Sequence, residues 1–146
     1  MANTTYLRND VENCVRQELT KEFGVSFKPL DFPLVTGGRH EFDAVSEDGR
    51  IVGAIKSASG KTAGGRVPAG KIKDAEAELY YLTLVLAPTR MLVLTNPEFY
   101  EIMSTRLRGR LAPGLTLKLV VLPEEIQQRV TNVQKTASDE VSSKLG

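Results

Sequence analysis

This chain of 146 residues has one cysteine, one histidine, no tryptophan and no long apolar run. A single cysteine excludes an internal disulfide framework, so the cytoplasm is the expected location. One histidine and one cysteine cannot furnish a structural zinc site, which draws its ligands mainly from those two residue types. Any metal must then be held by carboxylate oxygens, a chemistry that suits Mg²⁺ or Mn²⁺. The opening Met1-Ala2-Asn3-Thr4-Thr5 has neither the basic nor the apolar region of a signal peptide. The longest apolar stretch, Leu82 to Ala87, is broken by Thr83 and too short to span a bilayer, so no membrane partner is expected. Net charge is also nearly absent: 19 Lys+Arg against 18 Asp+Glu give +1, no global attraction for nucleic acid.

What is present suits a globular protein, at 41% hydrophobic and 25% charged. One domain is expected over residues 1–135, followed by a polar, frayed tail at 136–146. A first helix is predicted from about Thr5 to Phe23, where Leu7, Val11, Cys14, Val15 and Leu19 recur at helical spacing before Gly24. Asp31 to Thr36 reads as an irregular or edge strand because of Pro33. His40–Ser46 and Arg50–Ser57 read as two strands joined through Glu47-Asp48-Gly49, a strong hairpin signal. Ser57 to Gly70, with four glycines and Pro68, reads as a long mobile loop. Lys71 to about Ala87 reads as a second helix stopped by Pro88, and Met91–Thr95 as a buried strand. Asn96-Pro97-Glu98 opens a third helix to about Arg108. Leu115–Leu122 is a last strand, and Pro123 opens a helix with Ile126, Val130 and Val133 on one stripe. The order α-β-β-β-α-β-α-β-α predicts an α/β fold with a mixed sheet.

With Asp48-Gly49 at the turn, residue numbers facing each other across the hairpin sum to 97. Asp43 then opposes Ala54, and Glu41 opposes Lys56. Strict alternation puts Glu41, Asp43 and Val45 on one face with Val52, Ala54 and Lys56. Phe42, Ala44, Ile51, Gly53 and Ile55 form the core face. The charged face is either a solvated surface with a Glu41–Lys56 pair or the wall of a site. The first helix carries Glu18 and Glu22 in the direction of its apolar stripe, at about 100° per residue. Carboxylates are seldom buried alone. Either the helix end rolls off the core and both reach water, or they face the hairpin and complete a pocket for a divalent cation.

The segment Gly37-Gly38-Arg39-His40-Glu41-Phe42-Asp43, the Asp48-Gly49 turn and Ile51-Val52-Gly53-Ala54-Ile55-Lys56-Ser57 together resemble the core of the PD-(D/E)XK nuclease superfamily. The resemblance covers residues 5 to about 95 and implies a restriction endonuclease-like αβββαβ core, here with additional C-terminal αβα elements. It implies a metal-dependent endonuclease that hydrolyses DNA phosphodiester bonds with Mg²⁺ or Mn²⁺. Asp43 matches the first acid and metal ligand, Ile55 the variable position and Lys56 the lysine. Glu18 or Glu22 fits the helix-one glutamate, a further catalytic residue and metal ligand. The departure is Ala54, which stands where the family has Asp or Glu. Losing one of two bridging carboxylates weakens the hold on an ion that must polarise the phosphoryl group and activate water.

Three origins of Ala54 stand side by side. It is a substitution made to disable an enzyme, or the mark of a non-catalytic nucleic-acid-binding or protein-interaction relative. Otherwise the acid has moved, to Glu41 on the same face or to Glu76 or Glu78 on the second helix.

Two blocks, 56–73 and 102–118, contain no acid and hold nine of the 19 cations. The first, with Lys56, Lys61, Arg66, Lys71 and Lys73, can follow a phosphate backbone, so Lys61, Arg66, Lys71 and Lys73 are the candidate nucleic-acid-binding residues. Gly60-Lys61-Thr62 ends like a nucleotide phosphate loop, but position 55 is Ile where that motif needs Gly. In the second block, Arg106 and Arg108 suit the end of a helix dipole. His40 alternates to the Phe42 side and reads as structural, Cys14 as a small core residue, and Tyr80 and Tyr81 as packing residues. The stripe from Ile126 onward caps the core or carries a homodimer contact.

Overall fold

A computed structural model of the chain describes residues 2–58, 68–130 and 132, the side chains of residues 2–7 excepted. The elements are α1 (Ala2–Phe23), β1 (Phe27–Pro33), β2 (Arg39–Ser46), β3 (Ile51–Lys56), α2 (Ala69–Thr83), β4 (Thr89–Leu94), α3 (Pro97–Arg106) and β5 (Leu115–Leu119). A helical segment at 124–130, here α4, follows. The five strands lie side by side in chain order. β1–β2 and β2–β3 are antiparallel, whereas β3–β4 and β4–β5 are parallel. The result is a mixed α/β fold, with one mixed sheet and four helices among the described residues.

Each parallel pair needs a crossover, and the strong preference for right-handed crossovers puts both helices on one side when strands advance in one direction. Accordingly Ile72, Ala75, Leu79 and Leu82 of α2 and Phe99 and Met103 of α3 share a buried cluster with Phe42, Val45, Val52, Ala54, Leu92 and Leu94. On the other side, Val11, Val15 and Leu19 of α1 pack with Phe27, Ala44, Ile55, Met91 and Val93, and Ile126 and Val130 of α4 lie against them. That part of the last stripe therefore caps the core. Val133 and the rest of the stripe lie outside the described residues, as do Lys61, Arg66 and the tail at 136–146.

Several boundaries differ from expectation. The first strand is earlier, at Phe27–Pro33 rather than 31–36. It holds two prolines because it is an edge strand, with β2 as its only neighbour among the described residues. Gly37, at φ 97°, then turns the chain back. The second helix stops at Thr83 rather than Ala87, since Pro88 disfavours helical geometry before it and the chain must turn into a parallel strand. Leu84 gives its carbonyl to the N–H of Val35 at 2.8 Å. Asn96 caps α3 as expected, its Oδ1 accepting from the Phe99 N–H at 2.9 Å with Pro97 in the first turn. The last strand ends at Leu119, short of Leu122.

The hairpin forms with the expected register, Ala44 facing Gly53 and Val45 facing Val52. Its faces do not follow strict alternation. Lys28 pairs with Val45 and Leu30 with Phe42, so Asp43 and Ala44 of β2 stand against Pro29 alone. This is a β-bulge, placed where proline has no N–H to give the ladder. It brings Phe42 and Val45, three positions apart, onto the same face. The face expected to carry charge is therefore core at Val45, Val52 and Ala54, all completely buried.

Candidate active site

Pairing between β2 and β3 ends at Ala44 and Gly53, and beyond that point the two strands part. A cleft of about 490 Å³ opens in the fork. Glu41 and Asp43 line it from β2, Ile55 and Lys56 from β3, with Ser57 and Ala58 following. From the α1 side come Arg8, Asn9, Glu12 and Arg16; from the α2 side come Lys71, Asp74 and Glu78. The two helices pack on opposite faces of the sheet and so form opposite walls.

Asp43 occupies the apex. Its Oδ2 accepts the backbone N–H of Ile55 at 2.8 Å, supplying the partner that the parted ladder no longer provides. Its own carbonyl accepts a hydrogen bond from the Arg16 guanidinium at 2.7 Å, while a second nitrogen of Arg16 donates to Asn13 Oδ1 at 2.7 Å. α1 thus grips the bulge through Arg16 and sets where Asp43 points.

Against Asp43 stands Glu12, its carboxyl within hydrogen-bonding reach of the Asp43 carboxyl. Two carboxylates can share a hydrogen bond only if one keeps a proton. Glu12 is held above the usual glutamate range, first by burial and then by the Asp43 charge, with Arg16 and Arg8 pulling the other way. Lys56 lines the same cleft, half-buried. With every group ionised, the lining carries five carboxylates (Glu12, Glu41, Asp43, Asp74, Glu78) against four cations (Arg8, Arg16, Lys56, Lys71). Such a site does not attract a phosphate by charge alone. Among the described residues, no group of three or more His, Cys, Asp or Glu side chains is arranged to hold a metal ion.

The remaining predicted residues fall elsewhere. Glu18 is exposed and pairs with Lys21 at 3.4 Å, and Glu22 pairs with Lys118. Neither lines the cleft, which corrects the expectation that they complete the pocket. Leu19 is the last buried residue of α1, so Glu22 leaves the core although it lies in the stripe, and Glu18 lies on the flank away from the fork. The carboxylate beside Asp43 is Glu12. The Arg8-Glu12-Arg16 spacing, one residue off Val11 and Val15, puts it on one flank with its basic neighbours, but which flank meets the fork depends on how α1 lies across the sheet. The structure forms no Glu41–Lys56 ion pair: Glu41 is exposed on the cleft rim. Ala54 is fully buried beneath α2 and does not line the cleft.

Of the basic candidates, Lys71 lines the cleft, whereas Lys73 is exposed outside it. In the second block, Lys118 is tied to Glu22 and lies over the Phe23 ring at 5.7 Å, and Arg106 pairs with Glu76 at 3.1 Å. Glu76 is therefore outside the cleft and Glu78 inside it. His40 lies on the Phe42 side, edge-on to that ring at 4.8 Å and stacked on Tyr81 at 4.0 Å, with Nε2 3.2 Å from Glu78 Oε2. Cys14 is partly buried against the α1-side cluster, its thiol raised by burial and then by Glu18. No helix among the described residues is long and apolar enough to cross a membrane. No protein-family model, curated protein or solved structure matches this chain.

Proposed function

We propose that the fork is the site of a metal-dependent nuclease of the PD-(D/E)XK kind, acting on DNA phosphodiester bonds, and that the αβββαβ order of residues 2–94 is its restriction endonuclease-like core. The observation that carries the reading is the Glu12–Asp43 carboxylate pair sharing a cleft with Lys56 where β2 and β3 part. Two hard oxygen donors side by side in a cleft are a donor set that would suit a divalent cation. Mg²⁺ is commonly held by one or two carboxylates, the substrate phosphate and water supplying the rest. Glu12 and Asp43 would hold the ion, which supplies Lewis-acid polarisation and a lowered water pKa when bound. Its two positive charges turn a cleft with one excess acid into one that accepts a phosphate. Lys56, an ammonium donor at the same opening, orients the diester oxygens and steadies the charge they gain.

A second reading has its own support. The buried Ala54 and the two-carboxylate donor set favour a relative that binds nucleic acid without cutting it. Cleavage of supercoiled plasmid DNA in Mn²⁺, with a chelator control, separates the two. The nuclease reading expects metal-dependent nicking that falls at least about 100-fold in Asp43→Asn and Lys56→Ala. DNA retention without nicking, unchanged by Asp43→Asn, supports the binding module and overturns the nuclease.

A further inference from the structure

Resting on that reading of the cleft, we propose that Glu78 of α2 is the base that takes the proton from the attacking water, and that His40 positions it. The methyl group of residue 54 is fully enclosed in the cluster that also holds Ala75 of α2. No oxygen reaches the cleft from there. α2 covers that position and presents Lys71, Asp74 and Glu78, three and four residues apart, along the cleft wall opposite Glu12.

The other groups at the opening are occupied or unsuited. Asp43 has one oxygen on the Ile55 N–H and is paired with Glu12. Lys56 as an ammonium has three donors and no acceptor. Glu41 and Asp74 are exposed and have no fixed partner among the described residues. Glu78 differs from both: it is about one-fifth exposed, and Oε2 lies 3.2 Å from Nε2 of an equally enclosed His40. The imidazole is fixed in turn, stacked within 7° of parallel on Tyr81 and edge-on to Phe42. In this assignment His40 donates from Nε2 to Glu78 Oε2, and Oε1 is left for a water in the cleft. As the water oxygen bonds to phosphorus, its proton passes to Glu78 Oε1. The ester P–O bond breaks, the departing oxygen takes a proton from solvent, and Glu78 returns its own to solvent.

Single-turnover cleavage of plasmid DNA in Mn²⁺, alongside calorimetric Mn²⁺ binding, tests the assignment. Glu78→Gln is expected to slow cleavage about 100-fold with Mn²⁺ affinity unchanged. His40→Ala should slow it about tenfold, and His40→Gln, which keeps a donor toward Glu78, should recover most of that loss. An unchanged rate in Glu78→Gln overturns the proposal while leaving the nuclease reading intact. Loss of Mn²⁺ binding in Glu78→Gln overturns it as well, by making Glu78 a metal ligand. So does faster cleavage in Ala54→Glu, since residue 54 would then reach the cleft. If the unsubstituted protein does not cleave, or Asp43→Asn leaves cleavage unchanged, the site reading falls and this assignment with it.

Discussion

Glu12 is held in an arrangement that works against it. Its raised carboxyl pKa means that the folded chain binds a proton more tightly there than the unfolded chain does. The resulting stabilisation is complete below the ordinary glutamate range and is lost as pH rises through the raised value. At neutral pH in chelator the pair is therefore a liability. Glu12→Gln removes one charge while keeping a donor toward Asp43. It should raise the melting temperature at neutral pH by a few degrees. The gain should vanish as the pH falls through the carboxylate range. The same substitution should abolish stabilisation by Mn²⁺, which for the unsubstituted protein reaches about 2.7 kcal/mol at 100 times Kd. Thermal unfolding with and without Mn²⁺ reads both effects. A destabilised Glu12→Gln that still responds to Mn²⁺ would contradict the assignment.

At the scale of elements, the β2–β3 hairpin joins an orthodox turn to an irregular far end. Ser46 Oγ donates to Asp48 Oδ1 at 2.7 Å and accepts from the Ile51 N–H at 2.9 Å, and Asp48 Oδ1 also accepts from the Arg50 N–H at 3.1 Å. Those bonds favour the ionised carboxyl and lower its pKa, so their contribution is present above the ordinary aspartate range and lost as pH falls through the lowered value. Asp48→Ala should melt earlier than the unsubstituted protein at neutral pH, the two curves converging in acid; a gap that persists there would refute this account. The turn was legible because Asp-Gly chemistry is local and Gly49, at φ 72°, adopts the backbone such a turn needs. The far end was not. Alternation counted from the turn assigns Phe42 and Val45 to opposite faces, and only the partner strand, with Pro29, reveals the extra residue. The same limit applies to α1. Periodicity gave the stripe of Val11, Val15 and Leu19, but which flank meets the fork depends on how the helix lies across the sheet. Glu12 and Glu22 therefore could not be told apart by spacing alone. The α3 cap, Asn96 with Pro97, is local chemistry and needs no tertiary knowledge.

Across the whole molecule, near-neutrality conceals a division of charge. Nine cations lie in two acid-free blocks, and the rest of the chain holds ten cations with all 18 acids. Salt bridges already engage Arg106 and Lys118, so the second block offers less of a groove than its count suggests. The cleft has one more carboxylate than cation, so DNA should bind weakly in chelator. A divalent ion that supports no cleavage, such as Ca²⁺, should tighten that binding about tenfold, and Asp43→Asn should remove the gain. Gel retardation at fixed ionic strength tests this, and equal binding with and without Ca²⁺ would contradict it. The bulge, finally, sets the evolutionary freedom of the carboxylate pair. Asp43 closes the gap at the Ile55 N–H besides facing Glu12, so exchanging it disturbs the sheet as well as the cleft. Glu12 sits on a helix flank and can be replaced without touching the strands. Substitutions in the pair are therefore expected to accumulate first on the helix, with the strand aspartate persisting longer for its part in the sheet.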